Sequence, residues 1–193
     1  MGHHSDQHLI KRLKEGDKQA FITFIGQYKH MVYTLALRIV KNEEDAEEVS
    51  QDAFLKAYQS IGTFKGDAKL STWLYRIAYH RSLDCLKKNK RKPSTTQLQY
   101  EEVTNIQIAE MTWDHMERME RKQIIQRALG ELPGDDGVIL SLFYFESLSL
   151  KEISEVLNIS VNSVKVRLHR GRKRLASVLE KMMDKETISI YES

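Results

Sequence analysis

Apolar residues recur at spacings of three and four along most of the chain, which is the period of a helix with one buried face. Leu9, Ile10 and Leu13 mark a short first helix that Gly16 should end. Phe21, Phe24, Ile25, Tyr28, Val32, Leu35, Ala36 and Ile39 carry the same period through a longer second one. Asn42 followed by acidic residues reads as an N-cap with a first turn suited to the helix dipole. It opens a third helix over about 43–60, with Ala46, Val49, Ala53 and Ala57 turned inward. Gly62 and Gly66 bracket a loop, and Ser71 reads as the cap of a fourth helix that reaches about Arg91. Pro93 and the polar residues after it break the pattern. Further helices are expected over about 113–130, 133–145, 149–157 and 161–182, the second of them opened by Pro133, where a missing N–H is no loss. The expected fold is all-α: two small helical domains, 1–92 and 113–183, joined by a linker over 93–112, with a tail at 184–193.

Composition narrows this little but excludes much. With 193 residues there is room for two small domains, and 41% apolar residues can supply their cores. Nine Gly and two Pro are too few for a loop-rich all-β fold. The lone Cys85 rules out an internal disulfide and suits a reducing compartment. No apolar run is long enough to span a bilayer, and the N-terminus lacks the apolar core of a signal peptide, so a cytoplasmic location and no membrane insertion are expected. The net charge of +3 says little by itself; the placement of the charges says more.

The stretch SLSLKEISEVLNISVNSVKVRLHRGRKRL has the pattern of a helix-turn-helix. Ile153, Val156 and Leu157 face inward, Asn158 occupies the turn, where a left-handed backbone suits Asn, and Ser160 can cap the second helix. Val164, Leu168, Gly171 and Leu175 form one inner stripe. Asn162, Lys165, Val166, His169, Arg170 and Lys173 form the outer face, with Arg167, Arg172 and Arg174 on its flanks. A packed stripe under a basic face fits a helix in the DNA major groove, where cations hold phosphates and a few side chains reach base edges. A solvated charged helix is the plain alternative.

Two other faces stand out. The third helix shows Glu48, Gln51, Asp52 and Leu55 together, an exposed leucine among carboxylates, which is the wrong charge for nucleic acid but fits a protein-docking face. It also fits an ordinary charged surface. On the fourth helix Leu74, Ile77, Ala78 and Cys85 share a buried face, while Trp73, Arg76, His80, Asp84 and Lys87 share another. An aromatic beside cations can stack bases, and Phe64 on the preceding loop can add to a pocket for an unstacked base. Spacing alone equally allows Trp73 and Phe64 to cap the core.

The segments DAEEVSQDAFLKAYQSIGTFKG and STWLYRIAYHRSLD resemble the second conserved domain of the sigma-70 family, and LSLKEISEVLNISVNSVKVRLHRGRKRL resembles its fourth. The short connection between them is similar to that of the extracytoplasmic-function group, and the likeness runs from about Leu9 to Leu179. The resemblance implies a promoter-directing initiation factor whose partners are core RNA polymerase, promoter DNA and an anti-sigma factor. It implies core binding through Glu48, Gln51, Asp52 and Leu55, and minus-ten recognition and melting through Phe64, Lys65, Lys69, Trp73, Arg76 and His80. It implies minus-thirty-five recognition through Lys165, Arg167, His169, Arg170, Lys173 and Arg174. The chain departs from the pattern at His80, where many relatives carry Asn, at Val166, where a small polar residue is usual, and at Gly171, where Ala is usual. The segment LPGDDGVIL also lacks the usual basic residue.

No catalytic residue, cofactor or metal is expected. His4 and His8 stand one helical turn apart but have no further ligand nearby, Cys85 reads as core, and no Gly-rich phosphate loop is present. The alternative function is a stand-alone helix-turn-helix regulator, which would normally dimerise on paired half-sites.

Overall fold

Side-chain caps set many of the helix ends. The computed structural model describes residues 3–90 and 123–191. Helix α1 spans His3–Lys14, and Gly16 leaves it with φ +77°. Asp17 caps α2, Lys18–Val40, by accepting from the backbone of Gln19 and Ala20. Asn42 caps α3, Glu43–Ser60, through a 2.8 Å bond from the Asp45 N–H. A 3-10 turn over Ile61–Thr63 leads to α4, Leu70–Lys90. Ser71 is not its cap. The helix starts one residue earlier, and the Trp73 N–H already donates to the Lys69 carbonyl at 3.0 Å.

After residue 122 the chain resumes in a helical segment over 123–130, here α5. The expected linker over 93–112, and the start of the helix expected from 113, lie outside the described residues. Helix α6 is Asp136–Tyr144 and begins three residues after Pro133, with Asp135 at its cap position. Helix α7 is Leu150–Leu157, and Ser149 and Glu152 close a reciprocal capping box at its start. Asn158 then adopts φ 55°, ψ 47°, as the turn requires. Helix α8, Val161–Tyr191, is capped through the Ser160 hydroxyl, which accepts from the Ser163 N–H at 3.1 Å. It continues through the segment expected as a tail from 184.

The N-terminal core lies between α2, α3 and α4, where Phe24, Val32, Ala53, Leu74 and Ala78 are buried. The C-terminal core gathers Leu129, Ile139, Leu142, Ile153, Val156, Val164 and Leu168. The two domains do not stand apart. One apolar cluster runs through both, and α4 packs along α7. Tyr75, Tyr79, Thr72 and Ser82 form a second buried stripe on α4, in addition to Leu74 and Ala78. A helix buried on two sides no longer shows a single apolar stripe.

Candidate nucleic-acid and protein-docking surfaces

The junction of α4 with α7 is held by a carboxylate. Glu152 closes its own capping box by accepting from the Ser149 N–H at 2.8 Å and also reaches the start of α4. There it pairs with the Lys69 ammonium at 3.0 Å and accepts from the Thr72 hydroxyl at 3.2 Å. Negative charge is favoured at a helix N-terminus. Burial alone would raise the Glu152 carboxyl, but the bonds from Ser149 and then the Lys69 charge outweigh it and bring its pKa to about 2. Further along α4, burial followed by the nearby Asp135 carboxylate raises the Tyr79 phenol. Burial also raises the Tyr75 phenol, with the Glu146 carboxylate second, although the buried hydroxyl makes no bond of hydrogen-bonding geometry.

Acid should loosen this junction. The folded pKa of Glu152 lies below the ordinary value of 4.5, so its contribution is complete above 4.5 and is lost as pH falls toward 2. Glu152→Gln should therefore remove part of the stability lost between about pH 5 and about pH 3, read from urea midpoints at both. Equal acid sensitivity in both proteins would show that the junction does not depend on this charge.

The residues expected to meet opened DNA divide. Lys65, Lys69 and Arg76 are exposed, while Trp73 and His80 are half-buried. Phe64 is only 5% exposed, with its ring 5.3 Å from that of Trp73. In this arrangement, without DNA, Phe64 packs into the core against Trp73. The loop closes so because Ile61, Phe64 and Leu70 all turn inward, and the Lys14 ammonium donates to the Phe64 carbonyl at 2.7 Å.

The acidic face of α3 appears as expected. Gln51 and Asp52 are exposed, Glu48 pairs with Lys88 at 3.0 Å, and Leu55 is 56% exposed. Beside Leu55 an apolar groove of about 490 Å³ runs between α2 and α3, lined by Phe21, Ile25, Tyr33 and Phe54 among others. Phe54 is buried beneath this face and was absent from the expected inner set. Its phase beside Ala53 and Ala57 was the available signal.

On α8 the inner stripe is confirmed, but the arginines have a second attachment. Arg170 makes a two-point contact with Asp136, its Nη2 donating at 2.8 Å and its Nε at 3.2 Å. Arg174 donates to the same carboxylate at 2.6 Å, and Arg167 to Asp135 at 2.8 Å. Asp136 is 1% exposed. Burial would raise its carboxyl, but Arg170 and Arg174 outweigh this and hold it below the ordinary carboxylate value. Arg170 thus lies off the inner stripe, as its spacing implies, yet it supports the packing of α8 on α6. Arg172 lies over the Phe143 and Tyr144 rings at 5.8 and 5.6 Å. The outer face left for a partner carries Asn162, Lys165, Val166, His169 and Lys173, all exposed.

Gly171 has a packing reason. A Cβ there would lie 3.3 Å from a Leu140 methyl and 3.6 Å from the Asp136 Cβ, so the missing side chain lets α8 approach α6 closely. Cys85 is half-buried beside the Ala36, Val40, Ala46 and Val49 cluster, and burial raises its thiol. Among the described residues no group of acids, His and Cys could hold a metal ion, and no helix is long and apolar enough to cross a membrane.

Comparison with known proteins agrees with this layout. Residues 24–92 match the family model for sigma-70 region 2, and residues 122–175 match that for sigma-70 region 4. The chain is 36% identical to the ECF RNA polymerase sigma factor SigW of Bacillus subtilis, over 88% of this chain and 94% of that one. It is 32% identical to the RNA polymerase sigma-H factor of Pseudomonas aeruginosa, over 92% and 95% respectively. It is 30% identical to the ECF RNA polymerase sigma-E factor of Escherichia coli K12, over 93% and 96%. Its fold is similar to that of CnrH in complex with the cytosolic domain of CnrY, with a TM-score of 0.65 at 22% identity, covering 91% of this chain and 97% of that one. The sigma factor RpoE of Bartonella quintana, in complex with the anti-sigma factor NepR, gives a TM-score of 0.62 at 17% identity, covering 83% and 96%.

Proposed function

The chain belongs to the extracytoplasmic-function group of sigma-70 RNA polymerase sigma factors, which direct polymerase to promoters, and from that premise we propose how its surfaces divide the work. Core polymerase docks on the α3 face made by Glu48, Gln51, Asp52 and Leu55. The observation that carries this is the solvent-facing Leu55 among carboxylates, continuous with the apolar groove toward Phe21 and Phe54. Such a face offers apolar contact at its centre and charge at its rim. Phe64, Lys65, Lys69, Trp73, Arg76 and His80 engage the minus-ten element, cations on the strand backbone and the indole against bases, with Phe64 behind it. The outer face of α8 enters the major groove at the minus-thirty-five element.

The domain limits follow the same division, 1–92 for core and minus-ten contacts and 113–183 for the upstream element. The chain performs no covalent chemistry and acts in the cytoplasm, where polymerase is. An anti-sigma factor is the expected regulator; the sigma factor RpoE of Bartonella quintana, similar in fold, is in complex with the anti-sigma factor NepR.

Run-off transcription with purified core polymerase tests this reading. The full chain should confer initiation at a selected promoter. The pair Asp52→Arg with Leu55→Ala should reduce binding to core at least tenfold while leaving helicity by circular dichroism unchanged, since both side chains are exposed. Unchanged affinity for core would remove α3 from the docking surface.

A further inference from the structure

The recognition helix exposes an apolar side chain that its own fold does not use. Val166 is 65% exposed, above the other large exposed hydrophobics among the described residues. Those others, Ile22, Leu55, Tyr58, Tyr144 and Phe145, lie on α2, on α3 or at the end of α6. Val166 lies on α8, and helical spacing sets it against Asn162, His169 and Arg170, all exposed. A β-branched residue at an exposed helix position lowers helix propensity, and solvent rewards no apolar group there. Fold stability gives no reason for this valine.

We propose that Val166 is a specificity-determining residue that reads the 5-methyl group of a thymine in the upstream promoter element. This rests on α8 being the helix that enters the major groove. There thymine alone among the four bases presents a methyl, and a small apolar side chain is its natural contact. The neighbours fit such a reader. Lys165 and Lys173 supply cations for phosphate or guanine, and Asn162 has the two-point pattern that matches adenine. The arginines that would otherwise compete for base edges nearby, Arg167, Arg170 and Arg174, are held by Asp135 and Asp136. Val166 is left at the front of the face with polar groups on either side.

The test uses holoenzyme, core polymerase with the full chain, and duplexes carrying the upstream element selected from a randomised library. Each thymine of that element, on either strand, is replaced in turn by deoxyuridine, which lacks only the methyl. At one position the exchange should weaken wild-type binding about fourfold, the worth of one buried methyl group. Val166→Ser holoenzyme should bind both forms equally at that position while keeping its preferences elsewhere. A selected element on which no exchange matters, or which lacks thymine, would overturn the role of Val166 and leave promoter reading by α8 intact. An exchange felt equally by wild type and Val166→Ser would assign the methyl to another side chain. Absence of any upstream sequence preference would instead sink the reading of α8 on which the proposal rests.

Discussion

Gly137→Ala should destabilise the chain by about 3 kcal/mol, the upper part of the range for forcing atoms into a packed site. Gly137 is buried in the first turn of α6, and a Cβ there would press into the Leu129 carbonyl oxygen of α5. That obstacle is backbone, not the end of a flexible side chain, so relief requires α5 and α6 to separate. The separation would be felt in the C-terminal core, where Leu129 and Ile139 are both buried. Gly134→Ala separates space from conformation. Gly134 has φ +60° and open surroundings, so its replacement should cost only the left-handed backbone strain of about 1 kcal/mol. Urea midpoints for the two variants check both figures. A Gly137→Ala midpoint equal to wild type would mean that α5 does not lie against α6 as described.

Asp136→Asn should lower stability by about 2 kcal/mol, with the loss concentrated in the packing of α8 on α6. The carboxylate is 1% exposed and receives Arg170 at two points and Arg174 at one. An amide of the same shape keeps one acceptor but loses the charge that both guanidinium groups answer. Both arginines are about half exposed and can return to water, so the loss falls below that of a fully buried ion pair. In a double-mutant cycle Asp136→Asn and Arg170→Ala should be less than additive, because either one breaks the same contact. The carboxyl is held below its ordinary value, so this contribution is present above that value and is lost as pH falls through the folded pKa. Additive effects in the cycle would show that the pair is not coupled.

Much of this molecule is legible in local sequence. Asn42, Asn158 and Ser160 act where their chemistry implies, because caps and turns depend on residues only a few positions away. The inner stripe of α8 is legible for the same reason. What escapes the sequence is what long-range contact decides. Asp136 and Arg170 are 34 positions apart, and nothing local distinguishes a buried counter-ion from a solvated acid. The stripe of Thr72, Tyr75, Tyr79 and Ser82 carries hydroxyls that suit a wet surface, yet it is buried, with Thr72 against Glu152 of α7, Tyr75 beside Glu146 and Tyr79 beside Asp135. Ser71 has the composition of a cap, yet α4 starts at Leu70, with Glu152 of α7 beside Lys69 and Thr72. Spacing alone leaves Phe64 open between core and pocket; its burial here comes from closure of the loop over the end of α1, a contact 50 positions away.

The arginines held by Asp135 and Asp136 also bear on how this helix should respond to ionic strength. Between Lys165 and Arg174, α8 carries six Lys and Arg side chains, three of which are already paired with carboxylates inside the protein. Counterions leave DNA only in exchange for cations that reach phosphates, each adding about 0.9 to the slope of log affinity against log salt. Lys165, Arg172 and Lys173 remain, so the upstream contact should show a slope nearer 3 than 6, by roughly that same rule. A helix that looks strongly basic in sequence would then hold DNA through few released ions, and its grip would weaken only gently as salt rises.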